Sequence, residues 1–173
     1  MTGKVFGITG WKNSGKTTLT ERLVAEFTRR GFRISTVKHA HHSFDIDKEG
    51  TDSFRHRAAG AHEVAIVSFG RWALMHELRD EDEPPLDQIL ARLAPCDLVL
   101  VEGYKREPHL KIETRRRGAK DTSPLSASDP AIVAVAADHP QPDERLPVLD
   151  IDDIAAIADF IAARMDLRPP AAA

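Results

Sequence analysis

Residues 10–17 read Gly10-Trp11-Lys12-Asn13-Ser14-Gly15-Lys16-Thr17, the pattern G-x-x-x-x-G-K-T. A short apolar run, Val5, Phe6 and Ile8, precedes it, and residues 18–30 follow with Leu19, Leu23 and Phe27 on one helical face and Gly31 as a stop. Strand, glycine-rich turn and helix form the context in which this pattern cradles phosphate. Gly10 and Gly15 let the backbone turn tightly and approach a polyphosphate without a Cβ in the way. Loop amides and the positive end of the helix then face the anion. Lys16 is a mobile charge for the β- and γ-phosphates, and the Thr17 hydroxyl is a hard oxygen for Mg2+. The nucleotide-binding stretch is assigned to Gly10, Trp11, Lys12, Asn13, Ser14, Gly15, Lys16, Thr17 and Thr18.

The rest of the chain supports an α/β domain. A second strand is expected at Phe32–Val37, and a polar histidine-bearing loop at 38–47. Ser53–Ala59 reads as a short helix ended by Gly60. Glu63–Phe69 and Trp72–Leu78 flank Gly70-Arg71, which predicts a hairpin with a two-residue turn that adds antiparallel strands to the sheet. Leu86, Ile89, Leu90 and Leu93 align on a helix. Residues 97–103, Asp-Leu-Val-Leu-Val-Glu-Gly, form an apolar run that reads as a doubly buried central strand. Strands are further expected at Leu110–Thr114, Ala131–Ala136 and Leu146–Leu149, the last at an edge because of Pro147. A final helix covers Asp153–Met165. One domain over residues 1–168 and a frayed tail at 169–173 follow.

Composition narrows the class. A net charge of −3 gives no general reason to expect nucleic acid as a partner. The basic run Arg115-Arg116-Arg117 lacks interleaved aromatics and reads as surface. With one cysteine, Cys96, no internal disulfide can form, and the residue reads as a small core side chain. No apolar stretch is long enough for a membrane span and the N-terminus shows no signal-peptide pattern, so a cytoplasmic location is expected.

Further site residues come from position. Glu102 ends the apolar strand, where P-loop proteins place a carboxylate beside the Mg2+ shell, and Gly103 allows close approach. Asp45, Asp47 and Asp52 lie after the second strand. Either one of them, Asp47 above all, joins the metal shell, or they serve turns and caps. His39, His41 and His42 stand at no known zinc spacing and read as a polar loop near an anion. Lys38, Arg55, His56, Arg57 and Lys105 either complement an anionic ligand or form an ordinary solvated surface. Guanine presents N1–H and N2–H donors, so a carboxylate selects it over adenine. The N-K-x-D signature is absent, and Asp138, just past a strand, is the best-placed candidate.

Several stretches together resemble one family. G-W-K-N-S-G-K-T-T at 10–18, V-K-H-A-H-H at 37–42, F-D-I-D-K-E-G-T-D-S-F-R-H-R-A-A-G-A at 44–61, L-V-L-V-E-G-Y-K at 98–105 and K-I-E at 111–113 are similar to MobB, the molybdopterin-guanine dinucleotide biosynthesis adaptor family. The resemblance implies a P-loop GTP-binding fold, a homodimer and weak GTPase activity. It also implies a role beside the molybdenum cofactor guanylyltransferase that attaches GMP to molybdopterin. The expected ligands are GTP and Mg2+, with molybdopterin as a further one. Lys38, His39, Asp45, Asp52, Arg55 and Arg57 would form the rim facing the partner or the pterin. The rival reading is a small-molecule kinase, which shares the fold and the Walker lysine. A third is a structural dimer with a residual nucleotide site.

Overall fold

The computed structural model describes residues 3–40 and 44–168. His41, His42 and the tail at 169–173, both subjects of expectations above, lie outside the described residues. The chain partitions into two units, one running up to His39 and resuming at Leu86, the other spanning Ala40–Pro85.

The first unit is a six-stranded parallel sheet with helices. Its strands are β1 (Lys4–Gly10), β2 (Ile34–Lys38), β5 (Leu98–Glu102), β6 (Lys111–Arg115), β7 (Ile132–Ala137) and β8 (Val148–Asp150). Their order across the sheet is β2-β5-β1-β6-β7-β8, so β5 lies between β1 and β2 and β8 takes an edge, as Pro147 predicts. Helices α1 (Lys16–Arg29), α3 (Leu86–Ala91) and α4 (Ile154–Arg164) complete the unit. Because neighbouring strands run parallel, the ends of β1, β2, β5, β6 and β7 that carry the candidate site residues share one edge of the sheet.

The period of two along β5 divides the apolar core. Leu98 and Leu100 join Phe6, Ile8, Leu19, Leu23, Phe27, Ile157 and Ile161, all essentially solvent-free. Val99 and Val101 face the other way, toward Val37 and Leu86, with Ile89, Leu90, Leu93 and Cys96 packed alongside. Helix α1 buries Leu19, Leu23 and Phe27, the predicted stripe. Gly31, at φ 88°, lets the chain turn back so that Phe32 packs edge-on against Phe27, ring centroids 5.8 Å apart. Asp153 caps α4 by accepting from the Ala156 N–H.

Strand β6 departs from expectation. All five of its residues are buried, including Lys111, Glu113 and Arg115. The Lys111 ammonium donates to the carbonyls of Lys105 and Glu107 and to Asp129. Glu113 accepts from the Leu125 and Ser126 amides and from Arg115, which also binds Ser126, Gln141 and Glu144. The reading of 115–117 as plain surface is therefore corrected at Arg115, whose charge is matched by Glu113 at 2.7 Å and Glu144 at 2.8 Å. Such burial is tolerable because every charge has a partner.

The second unit holds α2 (Asp52–Ala58) and the hairpin of β3 (Glu63–Val67) and β4 (Trp72–His76). The hairpin is not added to the main sheet. It forms a two-stranded sheet of its own. Val67 pairs with Trp72, so four residues, 68–71, connect the strands, closed by the Ser68 amide on the Arg71 carbonyl. Gly70-Arg71, which the sequence suggested as the whole turn, is half of the observed connection.

Candidate functional site

The loop after β1 has the geometry its sequence predicts. Gly10 has φ 145°, and a Cβ there would lie 2.4 Å from Ser14 Oγ and 2.5 Å from Thr114 Oγ1. Only glycine fits. Ser14 Oγ and Thr114 Oγ1 are themselves 2.7 Å apart and buried, which fastens the loop to β6. Asn13 and Gly15 adopt left-handed conformations, φ 66° and 94°, and Gly15 starts α1. Lys16 Nζ donates to the Gly10 and Trp11 carbonyls at 3.1 and 2.7 Å, arching over the loop. Burial holds its pKa below the usual lysine value, opposed by the Glu102 charge and reinforced by Lys105 and Lys38.

Glu102 is where the register requires it. Ile8 of β1 and Lys38 of β2 both pair with Glu102, setting the carboxylate beside the P-loop. Thr17 Oγ1 donates to Glu102 Oε1 at 2.8 Å, and Lys38 Nζ lies 3.3 Å from the same oxygen. Gly103, φ 93°, lies close under His39, whose Cβ would be 3.2 Å from an added methyl. The His39 ring packs on Tyr104 with centroids 5.0 Å apart. Two hard oxygens, a hydroxyl and a buried carboxylate, make a donor set that fits Mg2+.

A second loop, 116–125, closes on the first. Trp11 Nε1 donates to the Ser123 carbonyl at 2.8 Å, and Lys105 Nζ lies 3.8 Å from the Trp11 ring centroid. Asp121 accepts from the Ser123 amide and hydroxyl, which holds the loop's turn and keeps the Asp121 carboxyl below its usual pKa. Arg116 lies against the P-loop itself, its Nε 2.7 Å from where a Gly15 Cβ would be. That Nε is buried without a hydrogen-bond partner. Trp11, Ser14, Arg116, Asp121, Ser123 and His139 are among the residues lining the pocket between these loops. Sequence reasoning missed Arg116. Its signal is the run 115–117, which gains meaning only once β6 is known to neighbour β1.

Asp138 follows β7 at an open cleft lined by 137–139 and 148–150. Its Oδ1 accepts from the Arg117 amide at 3.1 Å and from His139 Nδ1 at 2.6 Å, and the His139 bond holds its pKa below the usual carboxylate range.

The remaining expected residues belong to the second unit, where Arg57 gathers Asp45 and Asp47. Arg57 donates to Asp47 through both Nε and Nη2, to Asp45 at 3.3 Å and to Glu77 at 2.9 Å. Both Asp47 oxygens are taken by this arginine, and the bond keeps the carboxylate below its usual pKa. The pair is part of a clamp that ties loop 45–47 to α2 and the hairpin. Asp52 stands in the first turn of α2 and Arg55 in its last, places that suit the helix dipole.

Residues 5–138 match the family model of MobB, "Molybdopterin guanine dinucleotide synthesis protein B". The chain belongs to the MobB family. The molybdopterin-guanine dinucleotide biosynthesis adapter protein of Haemophilus influenzae is 43% identical over 159 residues, covering 91% of this chain and 86% of its own. The adapter protein of the same name from Escherichia coli is 39% identical over 163 residues, 93% of each chain. A crystal structure of a MobB homolog from Bacillus stearothermophilus superposes with a TM-score of 0.71 at 32% identity, covering 95% of this chain and 99% of that one. The fold is accordingly the P-loop NTPase type, with the antiparallel pair standing as a separate sheet. Among the described residues, no helix of this MobB chain is long and apolar enough to cross a membrane.

Proposed function

We propose that this MobB chain is a GTP·Mg2+-binding adapter in molybdopterin-guanine dinucleotide biosynthesis, acting in the cytoplasm beside the guanylyl-transfer enzyme. The observation that carries the reading is the P-loop itself, with Lys16 arched over the Gly10 and Trp11 carbonyls and Thr17 bonded to Glu102. Residues 10–18 would hold the phosphates. Thr17 and Glu102 would hold Mg2+, which supplies charge neutralisation of the β- and γ-phosphates when bound. Arg116 would add a second cation to that side of the loop. Asp138 would accept from guanine N1 and N2. Lys38 and His39, flanking Glu102, would form the ligand-facing rim, with molybdopterin as a further ligand. A homodimer fits the exposed apolar side chains of the hairpin, Val67, Phe69 and Trp72.

The adapter reading, against a kinase, rests on an imbalance. The groups that would hold phosphate and Mg2+, namely the two glycines, Lys16, Thr17 and Glu102, are all present, while no glutamine stands in a switch-like D-x-x-G-Q position to orient water. Such a protein binds GTP and turns it over on the order of 10⁻⁴ to 10⁻² per second. Steady-state GTP hydrolysis by the isolated protein with Mg2+ tests this. Turnover in that slow range, unaltered by small-molecule acceptors, supports the adapter. A rate above roughly 1 per second, in the range of kinases, rejects it.

A further inference from the structure

We propose that His62, His76 and Glu81 form a binding site for a divalent transition-metal ion, with zinc the best match, in the hairpin unit. This site is separate from the Mg2+ donors Thr17 and Glu102 and stands independently of the nucleotide reading.

The hairpin brings the three residues together. His62 immediately precedes β3, and its carbonyl accepts from the Glu77 amide at 3.0 Å. His76 ends β4, directly across from Glu63. Beyond β4 the chain turns through Arg79, left-handed at φ 45°, whose guanidinium donates to the Ala61 carbonyl at 3.1 Å. The Glu81 amide donates back to the Leu78 carbonyl at 2.6 Å. The turn therefore returns Glu81 to the two imidazoles.

The geometry is that of a ligand set. His62 Nε2 lies 3.2 Å from Glu81 Oε1 and His76 Nε2 lies 3.3 Å from Glu81 Oε2, and one ligand atom from each residue can be chosen within 4.8 Å of the others. With zinc bonds of about 2.0–2.2 Å, ligand atoms at tetrahedral angles stand about 3.3–3.5 Å apart. Two imidazoles and one carboxylate suit zinc, leaving a fourth position for water.

Behind this set, Glu63 Oε1 stands 2.8 Å from His76 Nδ1. A carboxylate there fixes the tautomer, placing the proton on Nδ1 and the lone pair on Nε2, toward the site. Both ring nitrogens of His76 thus face carboxylate oxygens. A neutral imidazole has one N–H, so one of these contacts sets lone pair against lone pair unless a second proton or a metal ion intervenes. A metal on Nε2 satisfies the ring, Glu81 and His62 together. Among the described residues of this unit only Val64 and Met75 are buried apolar side chains, so a cross-link between the start of β3 and the turn after β4 would stabilise a unit with little core.

The test is Co2+ titration of the full-length, chelator-treated protein, followed by visible absorption, with Zn2+ as competitor. The expected result is one ion per chain with a tetrahedral cobalt band that Zn2+ displaces. His76→Gln and His62→Gln should abolish the band. Glu63→Gln, which leaves all three ligands in place, should weaken binding at least about tenfold. Lys16→Ala should bind the ion as the parent does. The proposal is overturned if the parent shows no band, or half-saturates only above about 1 mM. It is equally overturned if the band survives in the His62→Gln/His76→Gln double variant, whether or not it then disappears on substitution of His39, His41 and His42.

Discussion

The two units of this molecule are held together by different physics. The P-loop unit has an extensive apolar core in which Phe6, Ile8, Leu98, Leu100, Ile112 and Ile157 are wholly removed from water. The hairpin unit leaves Val67, Phe69, Trp72 and Leu74 exposed and centres on an arginine surrounded by three carboxylates. One unit is ordered by non-directional burial, the other by directional ion pairs and a strand pairing. The unit with the larger core carries the P-loop. The thin one carries the His62, His76 and Glu81 cluster.

The largest effect is expected from truncating the core of the P-loop unit. Leu100→Ala should cost about 2–5 kcal/mol in urea unfolding. Met75→Ala should leave the main transition near its parent midpoint and raise hydrogen exchange chiefly in residues 63–76. Equal losses of global stability would erase the distinction between the units. Arg57→Ala comes next. It leaves Asp47 and Glu77 without their guanidinium, and amide protection should fall within α2, β3 and β4 while α1 and β5 keep theirs. Protection lost equally in β5 would show that the clamp serves the whole chain.

How much of this is legible in the sequence depends on which physics rules. The burial-driven parts are readable, because a stripe such as Leu19, Leu23 and Phe27, or a run such as 98–101, states its own environment. The phosphate loop is readable because glycines at 10 and 15 with lysine at 16 suit a bound phosphate and little else. Strand β6 is placed by its sequence, yet its charged positions do not read as buried. Lys111, Glu113 and Arg115 alternate like a solvated strand face, and their partners Asp129, Glu144 and Gln141 are distant in sequence. Arg116 escapes for the same reason, since its place depends on strand order. The Asp47–Arg57 pair spans ten residues that obey no periodic rule, so the acidic residue looks available for a metal.

A smaller effect should appear with pH. Burial pushes the pKa of His109, in the P-loop unit, down to about 4 from 6.5, with the Lys111 charge acting in the same direction and Asp129 against it. The folded unit thus resists a proton that the unfolded chain accepts. Its contribution to stability is complete above about pH 6.5 and is lost as pH falls toward about 4. His109→Phe should flatten the urea midpoint across that window. A parent midpoint already flat there would remove His109 as an acid-sensitive element of the P-loop unit.

The central claim is that the P-loop unit binds GTP through Lys16 and selects guanine through Asp138. Calorimetric titration of the parent, Lys16→Ala and Asp138→Asn with GTP and with ATP, all with Mg2+, measures it most directly. The account predicts that the parent prefers GTP by about 1–3 kcal/mol, the cost of leaving the Asp138 acceptor unmet by adenine. It predicts that Lys16→Ala stays folded and loses at least about tenfold in affinity, about 1.4 kcal/mol. Asp138→Asn should lose the preference and keep phosphate binding. Equal parent affinities for GTP and ATP, or GTP binding untouched in Lys16→Ala, would contradict it.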